Sequence, residues 1–264
     1  MRERIPVVVQ GRRRPRPQRH AVVRVLWTGA ELAVTLGAVL LLLVVHQLWW
    51  TNRQAQEAAR DQVDRLERQW EARPPSADAS PVPGGEAPDG ARSAGRSPSP
   101  GAPGHRAAPD PPPRADLAYA VLRIPRLGLT VPVAQGVGKA AVLNRGYVGH
   151  YPHTAQPGEW GNVALAGHRN THGEPFRHLD RLRTGDTVVL DTARARATYT
   201  VRRILPRTTP GDGTVLAAVP HSEVHPSYGF TAPGAYLTLT TCTPAYTSTY
   251  RLVVWGVLRS TQSR

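Results

Sequence analysis

The stretch Tyr236-Leu237-Thr238-Leu239-Thr240-Thr241-Cys242-Thr243-Pro244 holds the only cysteine of a 264-residue chain. Apolar and β-branched residues alternate from Tyr236 to Thr241 and Pro244 stops the run, so a strand is expected whose end carries Cys242. A strand end is a rigid mount for a nucleophile. A single cysteine forms no intrachain disulfide and a lone thiol is a poor metal site, which leaves a reactive thiol or a small buried core residue. Composition does not choose between these two, so the partners of Cys242 must.

The sequence around that stretch is built of similar pieces. Strands are expected at Tyr119–Ile124, Leu129–Ala134, Asn162–Ala166, Thr187–Asp191, Ala197–Leu205, Tyr236–Thr241 and Tyr250–Leu258. Turn signals part them at Gly128, Gly161, Gly185-Asp186, Pro210-Gly211-Asp212-Gly213 and Pro233-Gly234. Only Lys139–Asn144 and Glu174–Arg181 read as short helices. Many short strands with few helices predict a mainly β domain over residues 115–264, folded as a closed or nearly closed barrel.

Upstream the composition changes. Residues 1–24 form a basic, proline-broken tail that reads as disordered, and 25–50 are apolar over a length that suits a helix crossing ~30 Å of hydrocarbon. Trp27 and the Trp49-Trp50 pair mark its two interfaces. No small-residue cleavage site follows, so an uncleaved anchor is expected with its N-terminus in the cytoplasm and the rest outside. Glu31 lies within this span, where it must reach the headgroups, be protonated or face a partner. Residues 51–73 are helix formers with opposite charges three and four apart, a pattern favouring an exposed juxtamembrane helix. Residues 74–114, rich in Pro, Gly, Ala and Ser, read as a disordered linker tethering the folded part to the membrane.

The net charge of +14 would ordinarily suggest nucleic acid. Here the basic residues either precede the apolar span or are spread through the strands without aromatic interleaving, so nucleic-acid binding is not expected. Nor is a metal or cofactor. His172, His178, His221 and His225 lack regular ligand spacing, and Asp212 and Glu223 are too few for a calcium site.

Cysteine chemistry needs a proton carrier and a group that steadies an oxyanion. Of the ten histidines, His168 follows the run Asn162–Gly167 and sits at that strand's end as Cys242 does at its own. Arg251 opens the last strand, nine residues after Cys242, where a hairpin would set its guanidinium near the thiol.

At these residues the chain resembles the sortase family, and most closely the actinobacterial class E sortases. The resemblance rests on Leu165-Ala166-Gly167-His168-Arg169, on Thr238-Leu239-Thr240-Thr241-Cys242, on Arg251, and on the run His150–Asn162. Thr243 departs from the residue many members carry after the cysteine. The resemblance implies a sortase-type barrel of about eight strands and a cysteine transpeptidase outside the membrane. Such an enzyme cleaves a C-terminal sorting signal of secreted proteins, of the LAxTG or LPxTG type, between Thr and Gly. It then joins the acyl group to an amine of peptidoglycan or its lipid-linked precursor. By resemblance Cys242 is the nucleophile, His168 the proton carrier and Arg251 the oxyanion or substrate anchor, with substrate contacts expected from Tyr151, Thr241, Val215 and Leu216. Three other readings stand beside this one. They are an L,D-transpeptidase, whose His-Gly-Cys sequence Thr241 speaks against, a hydrolase in which water takes the acyl group, and a tethered scaffold with Cys242 merely buried.

Overall fold

The computed structural model describes residues 18–72 and 113–264. The expected tail over 1–24, apart from its last residues, and nearly all of the 74–114 linker lie outside the described residues. The chain divides into two compact units at Trp50/Thr51.

The first unit is the apolar part of helix α1 (Gln18–Glu71), with Val25, Leu36, Leu41 and Val45 exposed along it. It is long and apolar enough to cross a membrane. Its threonines satisfy their hydroxyls within the helix, Thr28 donating to the Arg24 carbonyl and Thr35 to that of Glu31. Apolar surroundings demand such internal pairing.

The second unit is a closed barrel with the remainder of α1 packed on it. Its eight strands are β1 (Ala118–Ile124), β2 (Leu129–Gln135), β3 (Val148–His150), β4 (Gly161–Ala166), β5 (Thr187–Thr192), β6 (Ala195–Thr208), β7 (Ala235–Thr243) and β8 (Tyr250–Ser263). They close in the order β1-β2-β3-β4-β7-β8-β6-β5. The β2–β3 and β4–β7 pairs are parallel, and the other pairs antiparallel.

Residues of alternating faces fill the interior. Leu122, Val163, Leu165, Leu237, Leu239 and Val254 are fully buried in one cluster. Each such side chain contributes about 1.5–3 kcal/mol by leaving water. The outer face of β7 and β8 is covered too, by the segment between β6 and β7. Val215 packs there on Leu205, Val253 and Trp255, and the indole Nε1 of Trp255 donates to the Val215 carbonyl at 3.1 Å.

That covering segment is pinned by a buried carboxylate. Asp212 accepts hydrogen bonds from the hydroxyls of Thr208 and Ser222, both at 2.5 Å, and from the backbone N–H of Glu223 at 3.1 Å. Burial alone would push Asp212 up, but these donors hold it below the ordinary carboxylate range.

The structure differs from the sequence reading in three places. The β3 strand was not expected, and it is the piece that lets β2 and β4 join. The two expected helices shrink to single 3-10 turns at Leu143–Arg145 and Leu179–Arg181. Finally, the charged part of α1 is not exposed on all sides. Ala55, Ala59, Val63 and Leu66 are buried, against Ala134, Val142 and Tyr147 at one end and Val121 at the other. Their spacing of four, four and three makes a single helical stripe. Glu67 of this helix pairs with Arg123, which also donates to Asp191 at 2.9 Å. Residues 51–72 and 113–264 therefore belong to one body, and the intervening stretch joins two parts of it.

Candidate active site

Strand register sets the site. In the parallel β4–β7 pair Ala166 lies opposite Thr240, and the ladder runs one residue past the end of β4, with Gly167 N–H donating to the Thr240 carbonyl at 3.2 Å. The Thr241 hydroxyl donates back to the Gly167 carbonyl at 2.8 Å. His168, the next residue, thus follows the end of the strand that pairs with the one carrying Cys242. On the other flank the antiparallel β7–β8 pair sets Cys242 directly opposite Arg251. Opposed residues of such a pair have Cα atoms ~4.5–5.5 Å apart and side chains on one face. Cys242 is half-buried, neither locked in the core nor fully open.

His168 and Arg251 are each held in a different way. His168 is half-buried, and its Nε2 lies 2.9 Å from Oδ1 of Asn144. A carbonyl oxygen only accepts, so Nε2 carries the proton and Nδ1 keeps its lone pair. The ring stacks on His172 with centroids 5.4 Å apart. Burial, and after it the charges of His172 and Lys139, hold His168 below the ordinary histidine range. Gly167 must be glycine because a Cβ there would meet the Phe176 ring at 2.7 Å. The Arg251 Nη1 donates to the carbonyls of Ser248 and Tyr250 at 2.9 and 3.0 Å. A guanidinium has five N–H groups, so others remain for a substrate.

A Sortase domain profile matches residues 122–259. Sortase SrtE2 of Streptomyces coelicolor is 34% identical over 257 residues, covering 96% of this chain and 88% of the relative. The chain belongs to the sortase family. Sortase SrtE1 of the same organism is 39% identical over 231 residues, covering 86% of this chain, which spans 55% of that relative's length. The crystal structure of Sortase E1 from Streptomyces coelicolor with a tripeptide in its active site matches with a TM-score of 0.53 at 45% identity, covering 58% of this chain and 94% of that one. These likenesses place the chain among the class E sortases of actinobacteria.

Of the residues expected to touch substrate, the structure sets Tyr151 and Leu216 along the outer β4–β7 face, turns Thr241 inward and buries the Val215 side chain. The Tyr151 hydroxyl lies 3.3 Å from that of Thr240, two residues before Cys242 on the same face of this sortase. Leu216 lies farther along the face, beside Trp160 and Asn162. Thr241 alternates with Cys242 and so shares the inward face of Leu237 and Leu239, where its hydroxyl fastens Gly167. Val215 is buried among Leu205, Val253 and Trp255, and offers its carbonyl rather than its side chain.

Three neighbours of the site were not assigned from the sequence. Asn144 sits 24 residues before His168, and no local pattern announces the pairing. His172 looked like one more loop histidine. Arg169, buried, follows His168 and reaches across to β7, donating from Nη1 to the Thr243 hydroxyl at 2.8 Å and the Cys242 carbonyl at 3.4 Å while Nη2 bonds Asp180 at 2.9 Å. It ties the histidine strand to the cysteine strand by charge-assisted bonds.

Proposed function

We propose that this sortase cleaves a C-terminal sorting signal of secreted proteins between Thr and Gly and transfers the acyl group to an amine of the cell wall. The observation that carries the proposal is the pairing of Cys242 with Arg251, with His168 delivered by the neighbouring strand end.

The Cys242 thiolate attacks the Thr carbonyl, and the negative oxygen that forms is steadied by the free N–H groups of Arg251. The C–N bond to Gly then breaks as His168, in its imidazolium form, gives a proton to the leaving amine. The products of this half are a thioacyl enzyme and a free glycine amine. An amine of peptidoglycan or its lipid-linked precursor attacks the thioester, His168 takes its proton, and the thiolate leaves. Thiolate and imidazolium must coexist for the first step. Since His168 is held below its ordinary range, that pair is a minor population.

The rest of the assignment follows the same reading. Tyr151 lines the groove that takes the signal. Leu216 meets the signal's apolar first residue. The apolar part of α1 crosses the membrane once, with the basic tail in the cytoplasm and the barrel outside.

The test is incubation of the full chain, in detergent, with LAxTG and LPxTG peptides and triglycine, followed by mass measurement. The expected result is an exchanged product with LAxTG in excess, absent in Cys242→Ala. No exchange from either peptide, or exchange that survives Cys242→Ala, would overturn the proposal.

A further inference from the structure

The first charged turns of α1 touch both loops that hold His168. One of these loops carries Asn144, the hydrogen-bond partner of Nε2, and ends at Gly146. Gly146 adopts a left-handed conformation, φ 78°, and a Cβ on it would stand 2.7 Å from the Ala55 carbonyl, so helix and loop are in backbone contact there. The other loop carries His172, stacked on the His168 ring, and continues into Gly173, also left-handed at φ 84°. The Gly173 N–H donates to Oδ1 of Asn52 at 2.6 Å, and its carbonyl accepts from Nε2 of Gln56 at 3.3 Å. A Cβ on Gly173 would meet Gln56 and Gly146 at 3.4–3.5 Å, so the two loops also close against each other.

The backbone N–H of a surface loop is ordinarily satisfied by its own turn or by water. Here the donor is taken by a side chain 121 residues away in sequence. Glycine at both contacts removes the side chains that would otherwise hold helix and loops apart. The stripe Ala55, Ala59, Val63 and Leu66 then fixes the helix itself on the barrel. Asn52 is thus linked to the imidazole through Gly173 and His172, and Ala55 through the Asn144–Gly146 turn.

We propose that the turn Asn52–Gln56 of α1 is part of the catalytic apparatus, with Asn52 a positioning residue that holds the His172–Gly173 loop and thereby the ring of His168. This rests on the reading of His168 as proton carrier. It assigns to the charged segment a role in turnover beyond connecting the barrel to the apolar helix. A ring misplaced by ~1 Å costs proton transfer heavily, while the signal is bound elsewhere, by Tyr151 and Leu216.

The experiment compares the full chain with Asn52→Ala and Asn52→Asp in the peptide-exchange assay, reading kcat and KM separately, together with thermal melting. Asn52→Ala is expected to lower kcat at least about tenfold with KM unchanged, because positioning and not signal binding is lost. Asn52→Asp keeps an oxygen acceptor for the Gly173 N–H and restores most of kcat. A third variant, Gly146→Val, drives a side chain against the Ala55 carbonyl and is expected to lower kcat in the same manner. Wild-type kcat in a folded Asn52→Ala variant would overturn the proposal. So would a loss that Asn52→Asp fails to restore, or one that appears in KM alone. Failure of the underlying reading looks different, since His168→Gln would then retain turnover.

Discussion

Two histidines of this barrel show how placement decides what an imidazole does. His150, at the end of β3, is fully buried with both nitrogens engaged. Its Nδ1 lies 2.7 Å from the Tyr119 hydroxyl and 3.0 Å from Gln135 Oε1, and its Nε2 lies 3.0 Å from the Ala155 carbonyl and 2.9 Å from the Thr154 hydroxyl. His168, past the end of β4, is half-buried, with one nitrogen fixed by Asn144 and the other left with a lone pair. Both are held below the ordinary histidine range, chiefly by burial, His150 to about 4. The lesson is that a lowered affinity for protons does not mark the working residue. A saturated imidazole is a structural knot, and one with an unused nitrogen can carry protons.

The largest expected effect separates the two. His168→Gln should lower turnover of the signal peptide by about 10²–10⁴ with melting temperature nearly unchanged, whereas His150→Gln should leave kcat intact in the folded fraction. Equal losses in both variants would erase the distinction. His150→Gln should instead cost about 2–3 kcal/mol in denaturant unfolding, because the Tyr119 and Thr154 hydroxyls lose a shaped buried partner.

The next test uses pH. The folded-state value of about 4 for His150 lies below the ordinary 6.5, so the unfolded chain binds the proton more readily. Its contribution to stability is full above pH 6.5, declines as pH falls, and is lost at about pH 4. That contribution is on the order of 3 kcal/mol. Unfolding curves across this window should show the slope in the wild type and a shallower one in His150→Gln.

The smallest effect concerns His168 itself. The acid limb of kcat/KM should lie below the ordinary histidine range, and His172→Gln should move it upward, since the charge of His172 disfavours protonation of its neighbour. A limb that does not move in His172→Gln would show that the stack is only packing.

The sequence made the barrel, and the strand ends that carry His168, Cys242 and Arg251, legible for a local reason. Strand alternation, turn residues and the Gly167-His168 and Thr241-Cys242 junctions are all written in contiguous stretches. Strand β3 was hidden because Val148-Gly149-His150 is three residues long and lies between turn formers, too short for any periodicity. The docking face of α1 was present in the spacing of Ala55, Ala59, Val63 and Leu66, but two of those four are alanines, a weak apolar signal beside so many charges. Thr241 and Val215 were expected to touch substrate because of where they fall in the chain, and only the β7 register for Thr241 and the packing on Leu205, Val253 and Trp255 for Val215 show where their side chains lie. Asn144, Arg169 and Asn52 act across the fold, at separations that no local pattern encodes.

The carboxylate knot at the start of the segment between β6 and β7 bears on how such enzymes can be re-engineered. Asp212 and Ser222 belong to that segment, but Thr208, the third member, belongs to β6, where it lies opposite Arg251. A segment transplanted from a related barrel to alter peptide preference would therefore have to match a threonine in the recipient strand. Without that match the graft would bury an under-bonded carboxylate beside the strand that carries Arg251.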